Sequence, residues 1–152
     1  MANSTSIRFK GYVKPKFRKD FSLIALTGDW QDSNVEAFKK FGELFSRASF
    51  IPCGTCYDSD WERIGSVSTG FEKNYYNEET GHYIFQCSLK NYDNTVDAFM
   101  ELVPYFIEKI EHLERYDDTF DSSWLYDLNA EGNDLVLRGF NSKKHLNLNY
   151  DE

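Results

Sequence analysis

The chain opens with alternating apolar and polar residues, a pattern typical of a β-strand with one buried face. The apolar positions of this predicted strand are Ile7, Phe9, Gly11 and Val13. Pro15 ends the strand and suits the first turn of a helix. The apolar residues that follow at helical spacing are Phe17, Phe21 and Ile24, and Gly28 is the predicted stop of this helix.

A second helix is predicted to start at Ser33. Ser33 and Glu36 match the S-x-x-E capping box, in which each side chain satisfies the other residue's backbone donor. The helix is expected to end near Arg47. Its apolar positions are Val35, Phe38, Phe41 and Phe45.

A hairpin is the next predicted element. Its first strand carries Val67, Thr69 and Phe71, and residues 77–81 have the composition of a turn. On the return strand the expected buried face is Tyr83, Phe85, Cys87 and Leu89. The residues expected to point away are His82, Gln86, Ser88 and Lys90.

An apolar stripe then predicts one long helix, capped by Asp93 or Asn94. The stripe consists of Val96, Phe99, Met100, Val103, Phe106, Ile107, Ile110 and Leu113. Pro104 removes a helical hydrogen bond, so a kink is expected near residues 100–104. A final strand pair is predicted at residues 115–128 and 135–140, followed by a loosely ordered tail from Asn141.

The predicted order is β-α-α-β-β-α-β-β, without regular βαβ alternation. This order favours an α+β class with two layers, an antiparallel sheet and helices packed on one face. A ferredoxin-like variant is the first choice, because the split βαβ pattern is close to this order. The length of 152 residues and the lack of repeats or linkers predict a single domain over residues 1–152.

Composition excludes several classes. Hydrophobic residues make up 41% and aromatic residues 17%, unlike a disordered chain. No apolar run approaches the roughly 20 residues that cross a bilayer. The N-terminus lacks a signal-peptide pattern, so a cytoplasmic location is expected. No glycine-rich phosphate loop is present, and nucleotide binding is not indicated.

The net charge of −8 is distributed unevenly. The first nineteen residues contain no acid and six cations, namely Arg8, Lys10, Lys14, Lys16, Arg18 and Lys19. These cations are expected to lie on the solvent side of the strand and helix start. The alternative is a small basic patch that binds nucleic acid or another acidic partner, with steep salt dependence. The remaining residues carry −14.

Cys53 and Cys56 form a C-x-x-C pair, which is half of a zinc site or a redox dithiol. The further zinc ligands considered are His82, Cys87, His112 and His145. His82 and Cys87 are expected on opposite faces of one strand, so both cannot reach one ion. An odd number of cysteines argues against a disulfide framework. The expectation is therefore no cofactor and two thiols in a loop, with zinc as the alternative.

Two other groups have candidate chemistry. Asp58, Asp60 and Glu62 could bind a hard cation, although acids in a helix's first turn explain them equally well. Near Cys56, Asp58 and Asp60 would also raise a thiol pKa, which disfavours redox catalysis. His112 is expected near the end of the long helix, where a cation suits the helix dipole.

A stretch between residues 116 and 127 combines acids with aromatic side chains. The residues predicted to bind a partner are Tyr116, Asp117, Asp118, Asp121 and Trp124. If exposed, they form a surface of aromatic anchors and acids suited to a basic protein. The alternative is a strand with aromatic residues inside and acids outside.

Four short stretches, at residues 11–15, 50–54, 87–99 and 105–109, resemble a family of small uncharacterised proteins carried by phages and mobile elements of Gram-positive bacteria. They cover a minor part of the chain and include no catalytic motif. The resemblance implies an accessory role in phage–host conflict. In that setting a small acidic protein binds and blocks a basic, nucleic-acid-handling host protein.

Two function hypotheses follow. The first is a non-enzymatic acidic binding protein that acts on a protein partner, as an inhibitor of a host defence or nucleic-acid-handling protein. The second is a small metal-binding or redox protein centred on Cys53 and Cys56.

Overall fold

A computed structural model describes residues 4–53, 74–117 and 122–142 of the chain. Six strands in these ranges form one sheet: β1 (Ser4–Val13), β2 (Asn74–Tyr76), β3 (His82–Lys90), β4 (Ile107–Asp117), β5 (Ser122–Leu128) and β6 (Leu135–Ser142). The helices in these ranges are α1 (Phe21–Thr27), α2 (Glu36–Leu44), α3 (Phe50–Cys53) and α4 (Thr95–Phe106). Helices packed on an antiparallel sheet confirm the predicted α+β class.

The strand order is β2-β3-β1-β4-β5-β6, and every neighbouring pair is antiparallel. The connections from β1 to β2 and from β3 to β4 each skip one strand, as in a split βαβ pattern. The hairpin β5–β6 then widens the sheet on the β4 side. The ferredoxin-like assignment stays a prediction.

Aromatic rings join the helices to the sheet. Phe21 on α1 lies 5.0 Å from the ring of Tyr83 on β3 and 4.9 Å from that of Phe106 on α4. Trp30 is buried beside Phe38, and its indole N–H donates to the carbonyl of Ile51 at 2.7 Å. Each such side chain contributes on the order of 2 kcal/mol when buried. This aromatic core fixes the helices on one face of the sheet.

The first strand and the helix stop are confirmed. β1 covers the predicted residues, and Ile7, Phe9 and Val13 are buried. The predicted first helix is divided in two, because Pro15 opens only a single 3-10 turn before α1 begins at Phe21. Gly28 ends α1 in the left-handed region at φ 74°, where its N–H donates to the carbonyl of Ile24.

The predicted capping box is wrong. The Ser33 hydroxyl accepts from the N–H of Val35 at 3.0 Å, and α2 begins at Glu36. Ser33 has an extended backbone because it ends the preceding 3-10 turn, to whose Trp30 carbonyl its N–H donates. The helix itself is confirmed, with Phe38 and Phe41 buried.

The return strand of the hairpin is confirmed as β3, with its predicted face fully inside. Its turn is closed by the Gly81 N–H, which donates to the Asn77 carbonyl at 2.7 Å. Gln86 and Ser88 do point away from the helices, but they are buried as well. The predicted strand residues Val67, Thr69 and Phe71 lie outside the described residues.

The predicted long helix is wrong beyond Phe106. α4 ends there, Pro104 lies within its last turns, and residues 107–117 form β4 instead of a kinked continuation. The cause is a pair of bulges in β4. Val13, Gly11 and Phe9 of β1 pair with Ile107, Ile110 and Leu113, so residues three apart share one face. That spacing imitates a helix in the sequence.

The start of α4 is confirmed directly after Asn94, but the predicted side-chain cap is wrong. Asn94 precedes the helix but makes no side-chain cap, and Asp93 does not cap it either. The side chain of Asn91 accepts from the Val96 N–H at 2.7 Å instead. The predicted strand at residues 135–140 is confirmed as β6, whereas the predicted strand at 115–128 is divided between the end of β4 and β5, which pair with each other. None of the described helices combines the length and apolar character needed to cross a membrane.

Candidate functional site

The hairpin β5–β6 forms one edge of the sheet and is the candidate binding surface. Its turn is held by the side chain of Asn129, which accepts from the N–H groups of Asn133 and Asp134 at 3.0 and 3.2 Å. Gly132 adopts φ 74° within the same turn. Tyr126, Leu128 and Leu135 are partly buried against the core. The hairpin is therefore anchored on its inner side.

The outer side of the hairpin is unpaired among the described residues. β6 is the last strand of the sheet, and no other strand in the described ranges pairs with its outer edge. Val136 and Leu137 are 44% and 58% exposed. Natural edge strands are commonly protected by charged side chains, proline, bulges or shortness. β6 has eight residues and neither lysine nor proline, and its protection consists of the charged Arg138 and a bulge opposite Leu125 and Tyr126. Such an edge can accept another strand through its backbone groups.

Acids surround this edge. Asp127 of β5 forms an ion pair with Arg138 of β6 at 3.6 Å, which offsets the charge of the cation on the strand. Glu131 and Asp134 in the turn are exposed, and no ion pair is recorded for either among the described residues. Glu131 also lines a cleft with Lys14 and Lys16, so the exposed negative charge of the turn rests mainly on Asp134.

The predicted partner-binding residues that the structure describes differ in exposure. Tyr116 on β4 has no exposed surface. Asp117 accepts from the Thr5 hydroxyl at 2.7 Å and lies 3.3 Å from Arg115. Trp124 on β5 is partly exposed. Asp118 and Asp121 lie outside the described residues, and a partner role for the five residues stays a prediction.

Arg115 joins α4 to β4. Its guanidinium lies 2.6 Å from Asp97 on α4 and 3.3 Å from Asp117. Burial opposes the charge of Asp97, but hydrogen bonds from Arg115 and Asn91 outweigh it and lower the pKa of Asp97 below its ordinary value. Burial raises the pKa of the neighbouring Tyr126. The network has a structural role at this junction.

The six N-terminal cations do not form one exposed patch. Arg8 was expected to face solvent but has no exposed surface, because it lies in the middle strand between Gln86 and Glu114. Its Nε donates to the Gln86 side chain at 3.2 Å. Arg18 lies 3.3 Å from Glu108 and donates to the carbonyl of Val13.

The remaining cations of this group differ in exposure. Lys10 and Lys14 are half-buried, whereas Lys16 and Lys19 are exposed. Lys14 and Lys16 line an open cleft together with Glu108 and Glu131, which offset their charge. A nucleic acid could therefore meet only part of the predicted patch.

The two histidines in the described ranges, His82 and His112, lie on β-strands. His112 is on β4 rather than near a helix end, and its Nε2 lies 3.0 Å from the buried carboxylate of Glu114. His82 lies 3.5 Å from Glu111 and stacks on Tyr12. Glu108 and Glu111 are the two bulge residues of β4 and have no pairing partner on β1. Their carboxylates contact Arg18 and His82 instead.

No metal site is formed by the described residues, since none of their His, Cys, Asp and Glu side chains gather in a group of three. Cys87 is buried in the core, on the opposite face from His82, as predicted. Cys53 is the last residue of α3. The other candidate ligands lie outside the described residues: Cys56, Asp58, Asp60, Glu62 and His145. Zinc at Cys53 and Cys56 stays a prediction.

Sequence reasoning missed Val136 and Leu137 as surface residues. The available signal was the composition of β6, which lacks lysine and proline over its whole length. The strand was predicted, but its position at the edge depends on pairing with distant strands. Comparisons with protein-family models, with curated proteins and with solved structures find no match for this chain.

Proposed function

We propose that this chain is a non-enzymatic binding protein that acts on a protein partner, and that an extended segment of the partner pairs with the outer edge of β6. The observation that carries this proposal is the open eight-residue edge with two exposed apolar side chains, Val136 and Leu137. Backbone pairing would supply affinity, and these side chains would supply apolar contact.

The charge of the edge selects a basic segment. Glu131 and Asp134 are exposed at the turn, and the chain outside its first nineteen residues carries −14. A segment rich in lysine or arginine is attracted to this field and associates faster at low salt. A second copy of the chain carries the same net charge of −8, which disfavours pairing between copies.

The resemblance to proteins of phages and mobile elements supports one class of partner. In that context the partner would be a basic host protein of defence or nucleic-acid handling, blocked by occupation of its extended segment. A cytoplasmic location belongs to the same proposal.

The test is a selection of displayed short random peptides against the purified protein. We expect selected peptides to be rich in Lys, Arg and β-branched residues and to shift the amide resonances of residues 135–139. Leu137→Lys should weaken their binding at least tenfold, about 1.4 kcal/mol, because it places a cation on the edge. The matched control is Leu26→Lys, which changes a similarly exposed leucine on α1.

Asp134→Lys tests the charge separately. It should weaken the selected peptides and flatten their salt dependence. Selection of neutral or acidic peptides, or equal losses for Leu26→Lys and Leu137→Lys, would contradict the proposal.

A further inference from the structure

A half-buried arginine and two exposed aromatic side chains form a second surface cluster, away from the edge of β6. The Arg47 guanidinium carbon lies 5.1 Å from the ring centre of Phe50 and 4.9 Å from that of Tyr92. Arg47 follows α2, Phe50 begins α3, and Tyr92 lies in the turn between β3 and α4. The rings are 38% and 42% exposed. We call these three residues the Arg47 cluster.

Arg47 differs from other arginines of the fold in its charge environment. Arg18, Arg115 and Arg138 each lie within 4 Å of a carboxylate. Among the residues that the structure describes, no carboxylate forms an ion pair with Arg47 and no acceptor receives its hydrogen bonds. Aromatic rings contact the flat faces of a guanidinium group. The N–H groups at its edge then stay available to donate hydrogen bonds to a planar acceptor with two oxygens, such as a carboxylate.

The ring of Tyr92 is held in place by its turn. The two residues that follow, Asp93 and Asn94, both have left-handed backbones, with φ of 58° and 60°. Two successive non-glycine residues rarely adopt this conformation. The Thr95 hydroxyl donates to the Tyr92 carbonyl at 2.7 Å and braces the turn. The backbone position of Tyr92 in the cluster is therefore fixed by its turn.

We propose that the Arg47 cluster binds a carboxylate side chain of a protein partner, one flanked by apolar residues. The guanidinium edge would hold the two carboxylate oxygens, and the exposed parts of Phe50 and Tyr92 would cover the neighbouring apolar side chains. Aromatic residues and arginine are the side chains most enriched at energetically dominant positions of interfaces.

A phosphate backbone is the weaker alternative. Nucleic-acid binding draws on several cations that together displace counterions. Here one arginine is presented by a chain of net charge −8. A single carboxylate needs only one guanidinium. This site is distinct from the β6 edge, and each can be tested without the other.

The probe is the peptide acetyl-Leu-Glu-Leu-amide, titrated into ¹⁵N-labelled protein while the Arg47 Nε–H resonance is followed. We expect this resonance and the Phe50 and Tyr92 ring signals to shift together. The Gln version of the peptide should bind at least tenfold more weakly, because it lacks the charge.

Arg47→Lys keeps the charge but removes the planar fork, and it should weaken the Glu peptide at least tenfold. The control is Arg138→Lys, an exposed arginine elsewhere that should leave the titration unchanged. Thermal unfolding of both variants establishes that they are folded. Tyr92→Leu, which removes the aromatic face at a similar volume, provides a second variant should Arg47→Lys unfold.

Equal binding of the Glu and Gln peptides would overturn the proposal. So would tighter binding of inorganic phosphate or of a short single-stranded DNA, which would assign the cluster to phosphate. Leu137→Lys should leave the titration unchanged, so failure here is separate from failure of the proposed pairing at β6.

Discussion

Gly11 lies where β1 meets the bulged strand β4, and its lack of a side chain allows the close approach. A Cβ atom on this residue would lie 2.5 Å from the carbonyl oxygen of Lys109 and 2.7 Å from the ring of Phe9. Because a backbone carbonyl cannot move without disturbing the ladder, the contact cannot be relieved cheaply. One missing side chain thus permits the register that holds the centre of the sheet.

Gly11→Ala should therefore lower the free energy of unfolding by about 2 kcal/mol. Urea denaturation measures the change. The matched control is Gly139→Ala on β6, where the nearest atom to a new Cβ lies 3.7 Å away and the expected change is below about 0.5 kcal/mol. Equal midpoints for the two variants would show that the bulge adapts.

The core residues could be predicted from the sequence, whereas the residues of the Arg47 cluster could not. Phe9 and Phe85 follow an alternating pattern, so their burial was predictable. Arg47, Phe50 and Tyr92 come from three separate elements, and no spacing in the sequence joins them. Arg8 shows the same limit, because its burial depends on residues that are distant in the sequence.

Between elements, the link from α4 to β4 depends on charge. Asp97 on α4 is held by Arg115 on β4, and its pKa is lowered despite partial burial. A carboxyl whose pKa is lower in the folded state stabilises the fold fully above its unfolded pKa. That contribution is lost as the pH falls through the folded value.

Asp97→Asn should therefore cost about 1 kcal/mol at neutral pH, after allowance for solvent screening of this half-exposed side chain. The difference from the unmodified chain should shrink as the pH falls below the ordinary carboxyl value of 3.8. Urea denaturation across pH measures it. Glu101→Gln on the exposed side of the same helix is the control and should have little effect at any pH. A loss that does not vary with pH would assign Asp97 a packing role.

The boundary between α4 and β4 explains the largest error of the sequence analysis. Ile107, Ile110 and Leu113 continue the apolar stripe of α4 at helical spacing, although they belong to a strand. Two bulges make a strand with three-residue spacing, and the sequence does not distinguish this from a helix. Pro104, interpreted as a kink, lies just before the helix ends.

For the molecule as a whole, the net charge and the unpaired edge of β6 have opposite effects on self-association. An unpaired edge strand favours pairing with a second copy, whereas a net charge of −8 and acids at the edge oppose it. We therefore expect the unmodified chain to sediment as a monomer at micromolar concentration.

Removing the acids should release self-association. The double variant Glu131→Gln and Asp134→Asn is expected to form dimers in sedimentation velocity, at least tenfold more tightly than the unmodified chain. Adding Leu137→Lys should return it to the monomer. Neutralising Glu36 and Glu43 on α2 makes the same change in net charge away from the edge and is the control. A monomeric double variant would indicate that charge does not protect β6.

The sequence alone determined the α+β class, the strands β1, β3, β5 and β6, helix α2 and the start of α4. Each is a local segment in which side-chain period, turn residues or a glycine stop decides the backbone. Only the tertiary structure decided the end of α4 at Phe106, the burial of Arg8 and Tyr116, and the exposure of Val136 and Leu137. These properties depend on which strands become neighbours. Burial and exposure follow from pairing and packing between residues far apart in the chain, which local periodicity does not encode.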